Sequence, residues 1–354
     1  MTVRSWIDDA MRKKEAGFFG HGVLYPLSVV YGFAVRTRAL LYSLNILPSH
    51  SLPRKVISIG NITVGGTGKT PVTIFFAEFF RKNGKKVAIL SRGYKGSAKG
   101  VAIVSDGKEV LLSPVESGDE PYLMAVRLKG IPVVTCADRV KGGQFIIERF
   151  SPDIIILDDA FQHIRLKRDV NIALLDSVEG FGAGYLLPRG ILREPVSALR
   201  RADFALVKGG PPKGKEWEAL QKYSVPCMSF TYRPSVAYEI NTGEELAAAS
   251  LVFKTAVPVC GIANPASFLD MLCALGVKLG RPLVFSDHHA YGEKEISEIE
   301  KAGAAAGMVI TTEKDGVKLK GRTKGVKIYA LRIDAELDPG QFANYLSPIL
   351  RGVW

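Results

Sequence analysis

Cysteine and histidine are scarce in this chain of 354 residues: there are four of the first and five of the second. The cysteines, Cys136, Cys227, Cys260 and Cys273, are far apart and never form C-x-x-C, which argues against a zinc site and a disulfide framework and for buried thiols in a reducing compartment. Long apolar runs are also missing. Gly22 to Val35 is uncharged, but Arg36 and Arg38 end it short of the roughly 20 residues a membrane-spanning helix needs. Asp8 and Asp9 sit in the N-terminal stretch, so it lacks the positive start of a signal peptide, while Trp6, Ile7, Ala10 and Met11 fall at helical spacing. No internal repeat or low-complexity tract occurs, and no alternation of aromatic and basic residues suggests a surface for stacking bases.

What is present is a basic surplus on an ordinary globular composition. Lys and Arg number 47 against 35 Asp and Glu, a net +12, which favours an anionic partner: nucleic acid, an acidic membrane surface or a phosphorylated substrate. The length suggests two domains at about 150 residues each. After Arg38, Leu40, Leu41, Leu44 and Leu47 resume a helical spacing, with Tyr25, Tyr31, Phe33 and Tyr42 nearby. Such a helix either lies in a bilayer interface or packs on the protein's own core.

From Lys55 onward short apolar runs alternate with helical stretches. Val56–Ile59, Val87–Leu90, Val133–Cys136, Ile154–Leu157, Ile172–Leu175 and Phe204–Val207 are unbroken, as strands buried on both faces are, and predict a three-layer α/β/α domain with a parallel sheet. Met228–Tyr232 and Ser250–Lys254 flank a polar turn and suggest a two-stranded ribbon, after which a second, smaller α/β series begins at Val257. The expected limits are 1–50 for an N-terminal helical segment, 51–225 for the main domain, 226–256 for the linker and 257–354 for the smaller domain.

The strongest chemical signal is Thr63-Val64-Gly65-Gly66-Thr67-Gly68-Lys69-Thr70, between a predicted strand and a predicted helix. Glycines there let backbone N–H groups curl around phosphates, Lys69 neutralises their oxygens, and the Thr70 hydroxyl is a ligand for Mg²⁺. Thr63 stands where the common pattern has glycine. The plainer reading is a glycine-rich turn that opens a helix. Asp158 and Asp159 follow a buried strand and offer carboxylates for a metal, with Asp176 as a competitor; a turn would use them equally well. Asp119, in Ser117-Gly118-Asp119-Glu120-Pro121, is either a helix-start carboxylate or a base for an attacking hydroxyl. His288 and His289, the one adjacent pair, are either loop residues or partners of that base across a cleft. Arg139 and Arg193 on loops are either phosphate clamps or members of solvated ion pairs.

Taken together, Gly60–Pro71, Ser91-Arg92-Gly93-Tyr94, Gly118–Pro121, Asp158-Asp159-Ala160-Phe161-Gln162-His163, Leu192-Arg193-Glu194, Asp287-His288-His289 and Thr311–Asp315 resemble the tetraacyldisaccharide 4'-kinase family, in that order along the chain. The resemblance implies transfer of the ATP γ-phosphate to the 4'-hydroxyl of an acylated glucosamine disaccharide 1-phosphate, giving lipid IVA in lipid A biosynthesis. It places the protein peripherally on the cytoplasmic face of a bacterial inner membrane, with no nucleic-acid partner and with its N-terminal helix at the interface. It accounts for Thr63, which is usual in that family. It implies Asp119 as catalytic base with His288 as its partner and Lys69 on the phosphates, and Mg²⁺ held by Thr70, Asp158, Asp159 and Glu194. Arg139 and Arg193 become phosphate or substrate contacts. The alternative is a membrane-surface ATPase that uses hydrolysis as a switch and places no demand on Asp119 or His288.

Overall fold

The computed structural model describes residues 20–342 except 66 and 67, together with 344 and 348. The helical spacing at Trp6–Met11 and most of the expected final helix, 339–350, therefore lie outside the described residues. The architecture is mixed α/β around a mostly parallel sheet. Strands β1 (Lys55–Gly60), β2 (Val87–Ser91), β3 (Ala102–Ser105), β4 (Val133–Thr135), β5 (Ile154–Asp158), β6 (Val170–Asp176) and β7 (Phe204–Lys208) take the order β7-β6-β1-β5-β2-β4-β3, parallel except for β3. In β5, Ile154 and Ile156 enter one core and Ile155 and Leu157 another, which is why the sequence shows no polar alternation.

Helices α1 (Tyr25–Ser43), α2 (Lys69–Lys82), α3 (Asp119–Arg127), α4 (Arg139–Phe150) and α5 (Gly214–Lys222) belong to this half. Phe76 and Phe80 of α2 are fully buried against Ile57, Ile59 and Ile156. This packing anchors the helix directly behind the glycine-rich loop.

The linker differs from the expectation. β8 (Cys227–Glu239) pairs in parallel with β7 through its first residues, and over most of its length it pairs antiparallel with β14 (Ile328–Leu337), from Phe230↔Leu337 to Tyr329↔Glu239. Ser250–Lys254 is not the second ribbon strand. Ala248–Leu251 forms a 3₁₀ turn that buries Leu251, and Phe253 follows with φ 62°, a left-handed backbone that ends any strand. A short strand, β9 (Glu245–Ala247), takes the hairpin position beside β8.

Beyond it, β10 (Thr255–Cys260), β11 (Lys278–Leu279), β12 (Leu283–Val284) and β13 (Val309–Thr312) extend the same sheet, with α6 (Pro265–Ala274), α7 (Glu293–Ala306) and α8 (Glu313–Leu319). The end of β14 returns to the first half, where Ala335 and Leu337 pack with Phe230. The two halves are thus joined by paired strands and face each other across a cleft.

Candidate active site

The cleft measures about 1260 Å³ and is lined from both sides, by Lys69, Asp159 and Arg193 of the first half and by Phe268, His288 and Lys314 of the second. Its floor is built where β1 and β5 end. β1 leads through Asn61 into the loop, and Gly68 caps α2 with φ 81°. Gly68 has no substitute here, because a Cβ would lie 0.9 Å from the Tyr232 hydroxyl oxygen. Thr63 keeps an ordinary backbone; it is buried and bridges Leu192, while the Val64 N–H donates to the Ile191 carbonyl at 2.7 Å. Val64, Gly65 and Thr70 line the cleft; Gly66 and Thr67 lie outside the described residues.

Lys69 opens α2 with its side chain mostly buried and Nζ 3.8 Å from Asp159 Oδ1. Burial pulls its pKa down, while Asp159 and Asp158 oppose that. The two aspartates, adjacent in sequence, have different surroundings. Asp158 is buried and accepts from Thr73 Oγ1 at 3.1 Å and Ser91 Oγ at 3.2 Å; burial, with Asp159 beside it, pushes it up to about 6. Asp159, at φ 47°, faces the cleft and takes both oxygens to Arg193 Nη1, at 2.9 and 3.1 Å. Burial works to raise Asp159 too, but Lys69 and Arg193 hold it below the usual range, so it stays ionised.

This donor set suits Mg²⁺. A hydroxyl and ionised carboxylate are hard oxygen ligands, and Mg²⁺ commonly uses one or two carboxylates with phosphates and waters. Glu194 has a different position. It is buried, and its Oε2 accepts from Arg201 at 2.6 Å and from Gln162 at 3.2 Å. Among the described residues no three acidic, His or Cys side chains form a metal cluster. Arg139 is also less available than its loop position suggests. The residue lines the cleft but is 2% exposed, and its guanidinium donates to the carbonyls of Cys136 and Asp158, bracing the turn that carries the aspartates. Burial lowers it to about 10.

Asp119 begins α3 in the same half and meets His288, which the second half supplies from the loop after β12, with Oδ2 to Nδ1 at 2.9 Å. Lys318 Nζ approaches the same oxygen at 2.9 Å. Burial would raise Asp119, but its bonds to His288 and Lys318 outweigh that and lower it. Lys314, one turn earlier on α8, lies 2.9 Å from Glu120 Oε1 and 3.1 Å from His288 Nε2. Sequence reasoning gave no role to Lys314 and Lys318. Their i, i+4 spacing puts both on one helix face, but the acids they meet come from a distant segment. Arg127, at the end of α3, ties the halves together by pairing with Glu313 at 3.2 Å and with Asp334.

The first helix has its packing inverted. Ser28 and Gly32 are its buried residues, Ser28 Oγ donates to the Leu186 carbonyl, and the Tyr31 hydroxyl donates to the carbonyl of Arg193, each at 2.8 Å. Leu27, Val30 and Phe33 point outward, with Phe33 72% exposed. No described helix is long and apolar enough to cross a membrane.

The chain is similar to known proteins over most of its length. A family model described as tetraacyldisaccharide-1-P 4'-kinase matches residues 21–351. Curated proteins named tetraacyldisaccharide 4'-kinase from Pelobacter propionicus and Geobacter sulfurreducens are each 40% identical, over 93% of this chain and 92% and 93% of theirs. The crystal structure of LpxK from Aquifex aeolicus in complex with ATP superposes with a TM-score of 0.72 at 34% identity, over 93% of this chain and 97% of that one.

Proposed function

Since the chain belongs to the tetraacyldisaccharide-1-P 4'-kinase family, we propose that it transfers the γ-phosphoryl group of ATP to the 4'-hydroxyl of a tetraacylated glucosamine disaccharide 1-phosphate. The observation that carries this reading is one cleft lined by a glycine-rich loop with its lysine and by His288, which the second half brings onto Asp119 of the first to form a half-buried pair. Phosphoryl transfer asks a protein for positioning and charge stabilisation, and both walls supply them.

The loop amides at the start of α2, with Lys69, receive the phosphates, and Arg193 stands within reach of the transferring group. Thr70 and Asp159 would hold Mg²⁺, with Asp158 behind them held by Thr73 and Ser91. When bound, the ion neutralises charge on the β- and γ-phosphate oxygens. The 4'-hydroxyl oxygen bonds to the γ-phosphorus as the bond to the β–γ bridging oxygen breaks, leaving ADP, and the hydroxyl proton passes to the Asp119–His288 pair.

Within that pair we propose a division of labour that differs from the sequence reading. Asp119 Oδ2 meets both Nδ1 of His288 and the ammonium of Lys318, and these bonds hold its carboxyl below the usual carboxylate range, which makes it a weak base. We therefore assign acceptance to Nε2 of His288, with Asp119 orienting the ring and stabilising the charge that forms. The outward apolar face of α1 supports seating on the membrane that holds the lipid, and the basic surplus suits anionic headgroups. Both features support the reading of a peripheral protein on the cytoplasmic face of the inner membrane. The test is phosphate transfer to the lipid disaccharide in mixed micelles; ATP hydrolysis that proceeds equally without acceptor would refute the kinase reading.

A further inference from the structure

Among the described residues Lys314 is the cation that touches Nε2 of His288. An ammonium has three donors and no acceptor, so at 3.1 Å the Nε2 lone pair must accept from it. A neutral imidazole with Nε2 as acceptor carries its hydrogen on Nδ1, and that hydrogen points at Asp119 Oδ2, 2.9 Å away. The other groups facing His288 are mostly acidic. Asp119 and Glu120 come from α3, with Glu120 Oε1 3.7 Å from Nε2, and Asp287 comes from its own loop at 3.8 Å. The Tyr94 ring meets the imidazole edge-on, and Lys318 acts only through Asp119. Three carboxylates therefore surround the ring, and an imidazolium would have no lone pair for a substrate proton.

We propose that Lys314 is a positioning residue that keeps His288 neutral in the Nδ1–H form, with Nε2 unprotonated and facing the cleft until the substrate hydroxyl takes the place of the ammonium. Lys314 has partners to keep when displaced, Glu120 at 2.9 Å and Asp287 at 3.5 Å. Those carboxylates hold it charged, outweighing the burial that works the other way. The left-handed backbone of His288, φ 60°, fixed by its N–H to the Gly261 carbonyl at 3.2 Å, presents the ring to both partners at once. The inference rests on the reading of His288 as proton acceptor.

The test is ¹⁵N-histidine NMR of the full chain in micelles without substrate, with the His288 signals assigned by their loss in His288→Gln. The wild type is expected to show the Nδ1–H tautomer at neutral pH. Lys314→Met, or Lys314→Gln should the first not fold, is expected to move the His288 titration midpoint upward by more than about half a pH unit, as loss of a neighbouring cation does. The acid limb of kcat/KM should move with it, and Lys314→Arg should bring both back toward wild type. An unchanged tautomer and midpoint in the Met and Gln variants would overturn the proposal. If instead the NMR change occurs while His288→Gln transfers phosphate at the full rate, Lys314 sets the ring state but the proton-acceptor reading fails.

Discussion

Nδ1 of His288 and Oδ2 of Asp119 stand 2.9 Å apart although 169 residues separate them along the chain. The contact exists because β8 and β14 carry the chain out of the first half and back, which sets α8 and the His288 loop against α3. A proton-accepting pair made this way is complete only when both halves are in register. His288→Gln and Asp119→Asn should each lower kcat by about 10²- to 10⁴-fold, the usual contribution of general base catalysis. Because the two act as a unit, the double variant should be no slower than the worse single one. Additive losses in steady-state transfer assays would show that they act separately.

Much of the first wall was legible before any coordinates. An apolar strand, glycines and then Lys-Thr specify a phosphate loop because each residue type has a local job, and Asp158-Asp159 after an apolar run marks the same sheet edge. What the sequence did not show depends on tertiary partners. Period-two patterning marks β8 as a strand, but nothing local says that its partner begins about ninety residues later, at Ile328. Likewise Arg139 and Glu194 have the composition of ligands, while burial under Cys136 and pairing with Arg201 decide their actual contacts.

Gly68 and Tyr232 make a second long-range fit, and it predicts a steric failure. Gly68→Ala places a methyl group 0.9 Å from the tyrosine oxygen and in a φ of 81°. The variant should lose the ATP-dependent rise in Tm. Adding Tyr232→Ala relieves the clash but leaves the backbone strain, about 1–2 kcal/mol for a left-handed non-glycine residue. The double variant should therefore recover part of the nucleotide response and never all of it; full recovery in calorimetry would show that the backbone there is unstrained.

Glu313 predicts a pH dependence of stability. It is buried, and although Arg127 and Arg332 favour its charged form, burial pushes it up to about 7 from an ordinary 4.5. The folded protein thus holds this proton more tightly than the unfolded chain does. The stability it contributes is full below about 4.5 and is lost as pH rises through about 7. Glu313→Gln should remove that decline, at most about 1.4 kcal/mol per pH unit for one proton. Urea unfolding between pH 5 and 7.5 checks it: a variant as steep as the wild type would assign the slope to another group.

The inverted packing of α1 separates membrane seating from folding. Val30 and Phe33 are 67% and 72% exposed, so in water their loss costs the fold little. In the acyl boundary each would be worth about 1.5–3 kcal/mol, the value of burying a side chain of that size. Val30→Glu with Phe33→Glu should therefore cut association with anionic phospholipid vesicles well over tenfold while leaving Tm within a degree or two. Gly32→Leu should do the reverse. A Cβ there meets the side-chain ends of Leu186 and Arg36 at 2.7 Å, and the rest of a leucine in this buried position must displace them beside the bonds of Ser28 and Tyr31, lowering Tm. Raising salt should weaken binding only by the share that headgroup charge supplies. Flotation that is unchanged in the double glutamate variant would mean that the lipid reaches the cleft by some other surface.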